Sequence, residues 1–163
     1  MLTVADVMTR EHLRVVPPDA LVSEAGRVAS DAHVSHLPVL DAGALVGIVC
    51  VCDFEHVHAG SAVTECMNHK PITIDVDAPA TNAARLMSEH GISCVLAVAG
   101  NALRGILTLR DLHRAGVIDS VPAHCASCGG EDHIRCARRA GAVGYCLDCT
   151  RRSILPGYET GGG

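Results

Sequence analysis

Aromatic side chains are almost missing from this sequence, which has no tryptophan, one phenylalanine (Phe54) and two tyrosines (Tyr145 and Tyr158). A core of large rings is therefore excluded, although 48% of the 163 residues are hydrophobic. That core must come from Val, Ile, Leu, Ala and Met, which suits β-branched strands packed on alanine-rich helices. Long apolar runs are missing too. No stretch approaches the ~18 residues of a membrane span. The opening Met1-Leu2-Thr3-Val4-Ala5-Asp6 has neither the basic nor the apolar region of a signal peptide. The expectation is a cytoplasmic protein with no membrane segment. Positive charge is also scarce. Residues 1–123 carry 8 basic and 14 acidic side chains, and residues 124–163 carry 5 and 4. An acidic body excludes broad electrostatic binding to nucleic acid. Cysteine, by contrast, is plentiful. Nine cysteines, an odd number, in an unexported chain point to reduced or metal-bound thiols rather than a disulfide framework.

The chain repeats itself. Asp19 and Asp77, Ala25 and Ala83, Arg27 and Arg85, Gly47 and Gly105, and Asp53 and Asp111 all stand 58 positions apart. Asp6-Val7-Met8 and Glu65-Cys66-Met67 stand 59 apart. Each copy reads as a helical turn, a short extended segment (Leu13–Val16, broken by Pro17-Pro18, or Ile72–Ile74), an amphipathic helix, two apolar strands around a glycine turn, and a last helix opening at Asp53 or Asp111. The order β-α-β-β-α, twice, predicts an α/β (α+β) fold. Two marginal units of this size would pack about a pseudo-twofold to bury both sheets.

The repeat resembles the CBS domain, the module named for cystathionine β-synthase. The residues that carry the resemblance are Asp6-Val7-Met8-Thr9, Val34-Ser35-His36-Leu37-Pro38-Val39-Leu40-Asp41 and Gly105-Ile106-Leu107-Thr108-Leu109-Arg110-Asp111-Leu112. It implies a pair of CBS repeats (a Bateman module), residues 1–60 and 61–118, that often dimerises. It also implies a regulatory adenosine ligand such as AMP, ADP, ATP or S-adenosylmethionine in a cleft between repeats. By that resemblance Thr108 would take phosphate, Asp111 the ribose hydroxyls, and Arg110 would add charge. Thr73 and Ile74 would flank adenine, and Ile92 and Ser93 would line the pocket. With no ring to stack on, adenine would lie among aliphatic side chains. The first copy departs from the pattern. Cys50 stands where the second has Thr108, and Val15 stands opposite Thr73, although Asp53 is kept. The expectation is one nucleotide per chain in the cleft containing Asp111, with Asp53 and His36 as weaker candidates.

After a linker at 119–123 the character changes. Cys125-Ala126-Ser127-Cys128 is followed after seventeen residues by Cys146-Leu147-Asp148-Cys149. Each C-x2-C turn aims two thiolates at one point, and two such turns supply a closed tetrahedral Zn2+ site. A segment with so little apolar core folds on its metal. The finger spans 124–152, and 153–163 reads as a flexible tail. Its spacing is similar to the zinc finger of the DksA/TraR proteins, on Cys128-Gly129, Ile134-Arg135, Arg138-Arg139-Ala140 and Cys146. The long coiled coil of that family is absent, so polymerase binding does not carry over. A fully thiolate site leaves no position for a catalytic water. His124, His133 and Cys136 are spare candidate ligands within the finger. The cysteines of the repeats, Cys50, Cys52, Cys66 and Cys94, read as small core hydrophobes, with a second metal or redox site at Cys50 and Cys52, which alternate on a strand, as the alternative.

No nucleophile–base–orienter set is present, so the leading reading is a regulatory protein and not an enzyme. The nucleotide would bias the packing of the pair or the geometry of a homodimer, and the finger would pass that state to a protein partner. Two other classes compete. One is a constitutive dimerisation and interaction platform without a small ligand. The other is a cysteine-based redox or metal sensor.

Overall fold

The structure, a computed structural model, describes residues 1–119, together with the backbone of 134–136 and 144–146. The first repeat holds helix α1 (Val4–Val7), helix α2 (Val22–Ala32), strands β1 (His36–Asp41) and β2 (Ala44–Cys50), and a 3-10 turn, Val51–His56. A short 3-10 turn at Val63–Glu65 opens the second, followed by β3 (Thr73–Asp75), α3 (Ala80–His90), β4 (Cys94–Ala99), β5 (Ala102–Thr108) and α4 (Leu109–Arg114). Further on, β6 (Ile134–Cys136) pairs antiparallel with β7 (Gly144–Cys146), with Ile134 opposite Cys146.

The two long helices form for the same reason. Val22, Ala25 and Ala29 of α2 and Ala80, Ala83 and Met87 of α3 are buried, each at spacing i, i+3, i+7. Both helices end on a left-handed residue, His33 at φ 54° and Gly91 at φ 61°. Glycine adopts that conformation without steric penalty, whereas a side chain costs about 1 kcal/mol. His33→Gly is therefore expected to raise the unfolding free energy by about 1 kcal/mol, read as a higher urea midpoint at unchanged slope. An unchanged or lower midpoint would show that His33 recovers the cost through its side chain.

Two antiparallel hairpins, β1–β2 and β4–β5, each carry one register shift, at Val39/Leu40 and at the equivalent Ala97/Val98. β3 lies parallel to β4, with Thr73 beside Leu96 and Asp75 beside Val98. The first repeat has no such third strand, which corrects the expectation at Leu13–Val16. Only Val16 forms a parallel bridge, to Val39. Pro17 and Pro18 follow at once and offer no N–H to extend a ladder. The first repeat's last helix also differs from expectation. It is a 3-10 turn and not an α-helix.

The packing units do not follow the sequence period. Val4, from the chain's first turn, belongs to the core built by Met87, Val95, Leu107 and Leu112 of the second repeat. Val63 and Met67, which lead into the second repeat, belong to the core of Leu37, Val39 and Val49 in the first. The leading segments are thus exchanged. Each one crosses to the other repeat and pairs with it, Thr9 with Ile106 and Asn68 with Ile48. These reciprocal contacts are what a pseudo-twofold requires. Gly105 and Gly47 mark the crossings. A Cβ at Gly105 would lie 2.7 Å from the Thr9 carbonyl oxygen, and one at Gly47 would lie 2.9 Å from that of Asn68. Among the described residues no helix is long and apolar enough to cross a membrane.

Candidate functional site

The chemistry collects where the second strand of each hairpin turns into a helix. In the second repeat β5 ends on Thr108, the N-cap of α4. The Thr108 amide and hydroxyl both donate to Asp111 Oδ2, at 2.9 and 2.7 Å, and the Asp111 amide donates to Thr108 Oγ1 at 3.4 Å. This reciprocal capping box makes Asp111 the third residue of the helix and leaves it 9% exposed. Arg114 Nη1 stands 3.8 Å from its other oxygen.

In the first repeat the same arrangement is looser. Cys50 takes the cap position, and its amide donates to Asp53 Oδ2 at 3.3 Å. A thiol is a weaker hydrogen-bonding group than a hydroxyl. The box therefore supports only a 3-10 turn, which places Cys52 Sγ 2.7 Å from Cys50 Sγ and 4.0 Å from Asp53 Oδ1.

That junction forms one wall of a cleft of about 560 Å³ between the repeats. The first repeat contributes His36, Ile48, Cys50 and Asp53, and the second contributes Ile92, Ser93 and Cys94. The floor is the crossing segment, Cys66 to Ile72. The backbone pairing of Asn68 with Ile48 holds this segment in place, at 2.8 and 3.1 Å. Asn68 Oδ1 also accepts from the Lys70 amide at 2.9 Å, and His69 Nε2 bonds the Thr64 carbonyl at 3.1 Å. Burial, then the nearby Asp53 and Glu65 carboxylates, push the Cys66 thiol up from its ordinary pKa. The cleft thus has a carboxylate on one side, an aliphatic lining from Ile48, Ile72 and Ile92, and Lys70 and His69 at an exposed edge.

Of the residues expected from sequence, the cleft gathers His36, Asp53, Ile92 and Ser93. It does not gather Thr73, Ile74, Thr108, Arg110 or Asp111. Ile74 is buried in the second core, while Thr73 and Arg110 are exposed. The sequence reading missed Asn68, His69 and Lys70. One signal for them was available, because Lys70 is the single lysine in an acidic body. Among the described residues no three His, Cys, Asp or Glu side chains converge as a metal site. Of the expected zinc ligands, Cys125, Cys128 and Cys149 lie outside the described residues, and Cys146 closes β7, described by its backbone alone.

Comparison with known proteins agrees with this architecture. The CBS-domain family profile matches residues 4–57 and 63–117. The chain belongs to the CBS-domain family. It is similar to the uncharacterized protein MJ1404 of Methanocaldococcus jannaschii, 33% identical over 129 residues, covering 67% of this chain and 30% of that one. It is also similar to YlbB of Bacillus subtilis, 32% identical over 122 residues, covering 69% and 80%. The chain therefore spans under a third of the length of the first relative. Among solved CBS pairs, CBSX2 in complex with AMP superposes with a TM-score of 0.65 at 29% identity, covering 72% of this chain and 97% of that one. The CBS pair of MJ0100, in complex with 5′-methylthioadenosine and S-adenosyl-L-methionine, gives 0.66 at 26%, covering 74% and 99%.

Proposed function

We propose that this CBS pair is a cytoplasmic regulatory sensor of an adenosine compound and not an enzyme. It takes one ligand per chain in the cleft between the repeats. The observation that carries this reading is the construction of the cleft itself. Both repeats and the second crossing segment, Cys66 to Ile72, contribute lining residues, so a ligand there touches both repeats at once. A ligand shifts a conformational equilibrium only through such differential contact. A volume of about 560 Å³ suits a nucleotide-sized molecule. In this reading Asp53 would accept the ribose hydroxyls, Ile48, Ile72 and Ile92 would flank adenine, and His36, His69 and Lys70 would meet phosphate. The AMP and S-adenosylmethionine complexes of similar CBS pairs support the ligand class.

The second strand-to-helix junction supports another placement. Thr108 and Asp111 keep the hydroxyl that Cys50 replaces, so a nucleotide there would use Thr73, Ile74, Thr108, Arg110 and Asp111. In either case the Cys125, Cys128, Cys146 and Cys149 tail is proposed to hold one structural Zn2+. The finger would dock a protein partner and report the state of a homodimeric pair.

Calorimetric titration of the zinc-loaded full chain with AMP, ADP, ATP and S-adenosylmethionine tests the reading. One compound is expected to bind with a stoichiometry of one per chain. At a hundredfold excess over its dissociation constant it should stabilise the fold by about 2.7 kcal/mol. No heat with any of the four would leave the constitutive platform as the function, and two ligands per chain would assign both junctions.

A further inference from the structure

We propose that Cys50 and Cys52 are an oxidisable dithiol in the wall of the cleft, closed to an intrachain disulfide by exchange with a low-molecular-weight disulfide.

The geometry comes from the strand-to-turn junction. In a straight strand, residues i and i+2 share a face but lie roughly 6.6–6.8 Å apart, at the upper limit of what a disulfide spans. Here the strand ends at Cys50, and the 3-10 turn beginning at Val51 brings the two sulfurs to 2.7 Å. That is well inside ordinary contact between sulfurs that share no bond. The pair is particular to the first repeat, because the equivalent positions in the second are Thr108 and Arg110. Access is one-sided. Cys50 is 8% exposed and lines the cleft, whereas Cys52 is 1% exposed and lies behind it. The cleft therefore admits an oxidant to Cys50, and Cys52 resolves.

The exchange proceeds in two displacements. Cys50 loses its proton to solvent, and its thiolate attacks one sulfur of the incoming disulfide. That S–S bond breaks, one thiol departs with a solvent proton, and Cys50 carries a mixed disulfide. Cys52 then loses its proton and attacks Cys50 Sγ, expelling the second thiol. Two protein thiols are oxidised, and one small disulfide is reduced to two thiols. Two other cysteines line the cleft. Cys66 is held in its thiol form and bonds the Val63 carbonyl at 3.6 Å, and Cys94 stands on the second repeat's strand β4. Neither has a second thiol at contact distance in the described structure. Closure would withdraw Cys50 Sγ from the cleft wall and lock the turn that carries Asp53, so oxidation would be written into the cleft whatever its ligand.

The test treats the zinc-loaded full chain with glutathione disulfide, alkylates the remaining thiols, and digests after glutamate. Residues 25–55 are released as one peptide holding Cys50, Cys52 and no other cysteine. In the oxidised wild type this peptide is expected to be two hydrogens lighter and unalkylated. In Cys52→Ser it should instead carry a single glutathione on Cys50. Alkylation of both cysteines after oxidation would overturn the proposal. So would a cross-link from Cys50 to Cys66 or Cys94.

Discussion

Gly105→Val is expected to lower the unfolding free energy by about 3 kcal/mol, at the upper end of what overpacking a well-filled site costs. The collision cannot be relieved by turning a side chain. The first carbon added at position 105 already meets the Thr9 carbonyl oxygen at 2.7 Å, and Met8 Sδ at 2.8 Å. Methionine can swing aside, but a carbonyl moves only with its backbone. Thr9 is tied to Ile106 by bonds in both directions, at 2.9 and 3.0 Å. Separating them breaks that bridge and pulls on the segment that delivers Val4 into the second core. Gly47→Val is expected to do the same at the other crossing, against Asn68, with the added result that the floor of the cleft shifts. Gly26→Ala is the control. It sits inside α2, where an added Cβ would meet only the Phe54 ring at 3.8 Å, so stability should hold or rise by about 0.5–1 kcal/mol. Urea unfolding of the three variants decides the matter. A loss below 0.5 kcal/mol for Gly105→Val would mean that the crossing segments are not part of the cooperative core.

These glycines also show what can and cannot be read in a sequence of this kind. The 58-residue period was legible because both copies keep the same local rules. The buried faces of α2 and α3 and the paired strands repeat in register. Local patterns report which face of an element is apolar, not which repeat it packs against. The exchange of leading segments was therefore hidden, although the 59-residue offset of Asp6-Val7-Met8 and Glu65-Cys66-Met67 marked where it occurs. The cleft suffered from the same blindness. Ile92 and Ser93 are adjacent to His36 and Asp53 only because the repeats interlock, and no spacing in the chain encodes that. The third strand expected in the first repeat failed for a different reason. Apolar character at Leu13–Val16 favours a strand, but Pro17 and Pro18, legible as a break in the sequence, remove the donors a ladder needs and leave only the Val16 bridge.

The two equivalent aspartates are expected to divide the work between them, stability at Asp111 and ligand at Asp53. Asp111 is 9% exposed, and its Oδ2 accepts from both the amide and the hydroxyl of Thr108 at 2.9 and 2.7 Å. Asp111→Ala removes the carboxylate and leaves those donors to be satisfied elsewhere, at the start of a helix whose Leu109 and Leu112 are core residues. Loss of a capping box in such a place should cost about 2 kcal/mol. Asp53 accepts a longer bond from its cap residue, 3.3 Å from the Cys50 amide, at the head of a 3-10 turn, and it borders the cleft. Asp53→Ala should therefore cost less than about 1 kcal/mol of stability. It should weaken nucleotide binding by tenfold or more, since a hydrogen bond to a charged group is worth about 1.5–3 kcal/mol. The measurements are urea unfolding and nucleotide titration on both variants, with Asp111→Asn separating the charge of the cap from its shape. If Asp111→Ala abolishes binding while folding normally, the nucleotide belongs at the Thr108 junction. If Asp53→Ala abolishes it with an intact fold, the cleft is the site, and the replacement of a capping hydroxyl by Cys50 is what left the first aspartate's turn loose enough to serve a ligand.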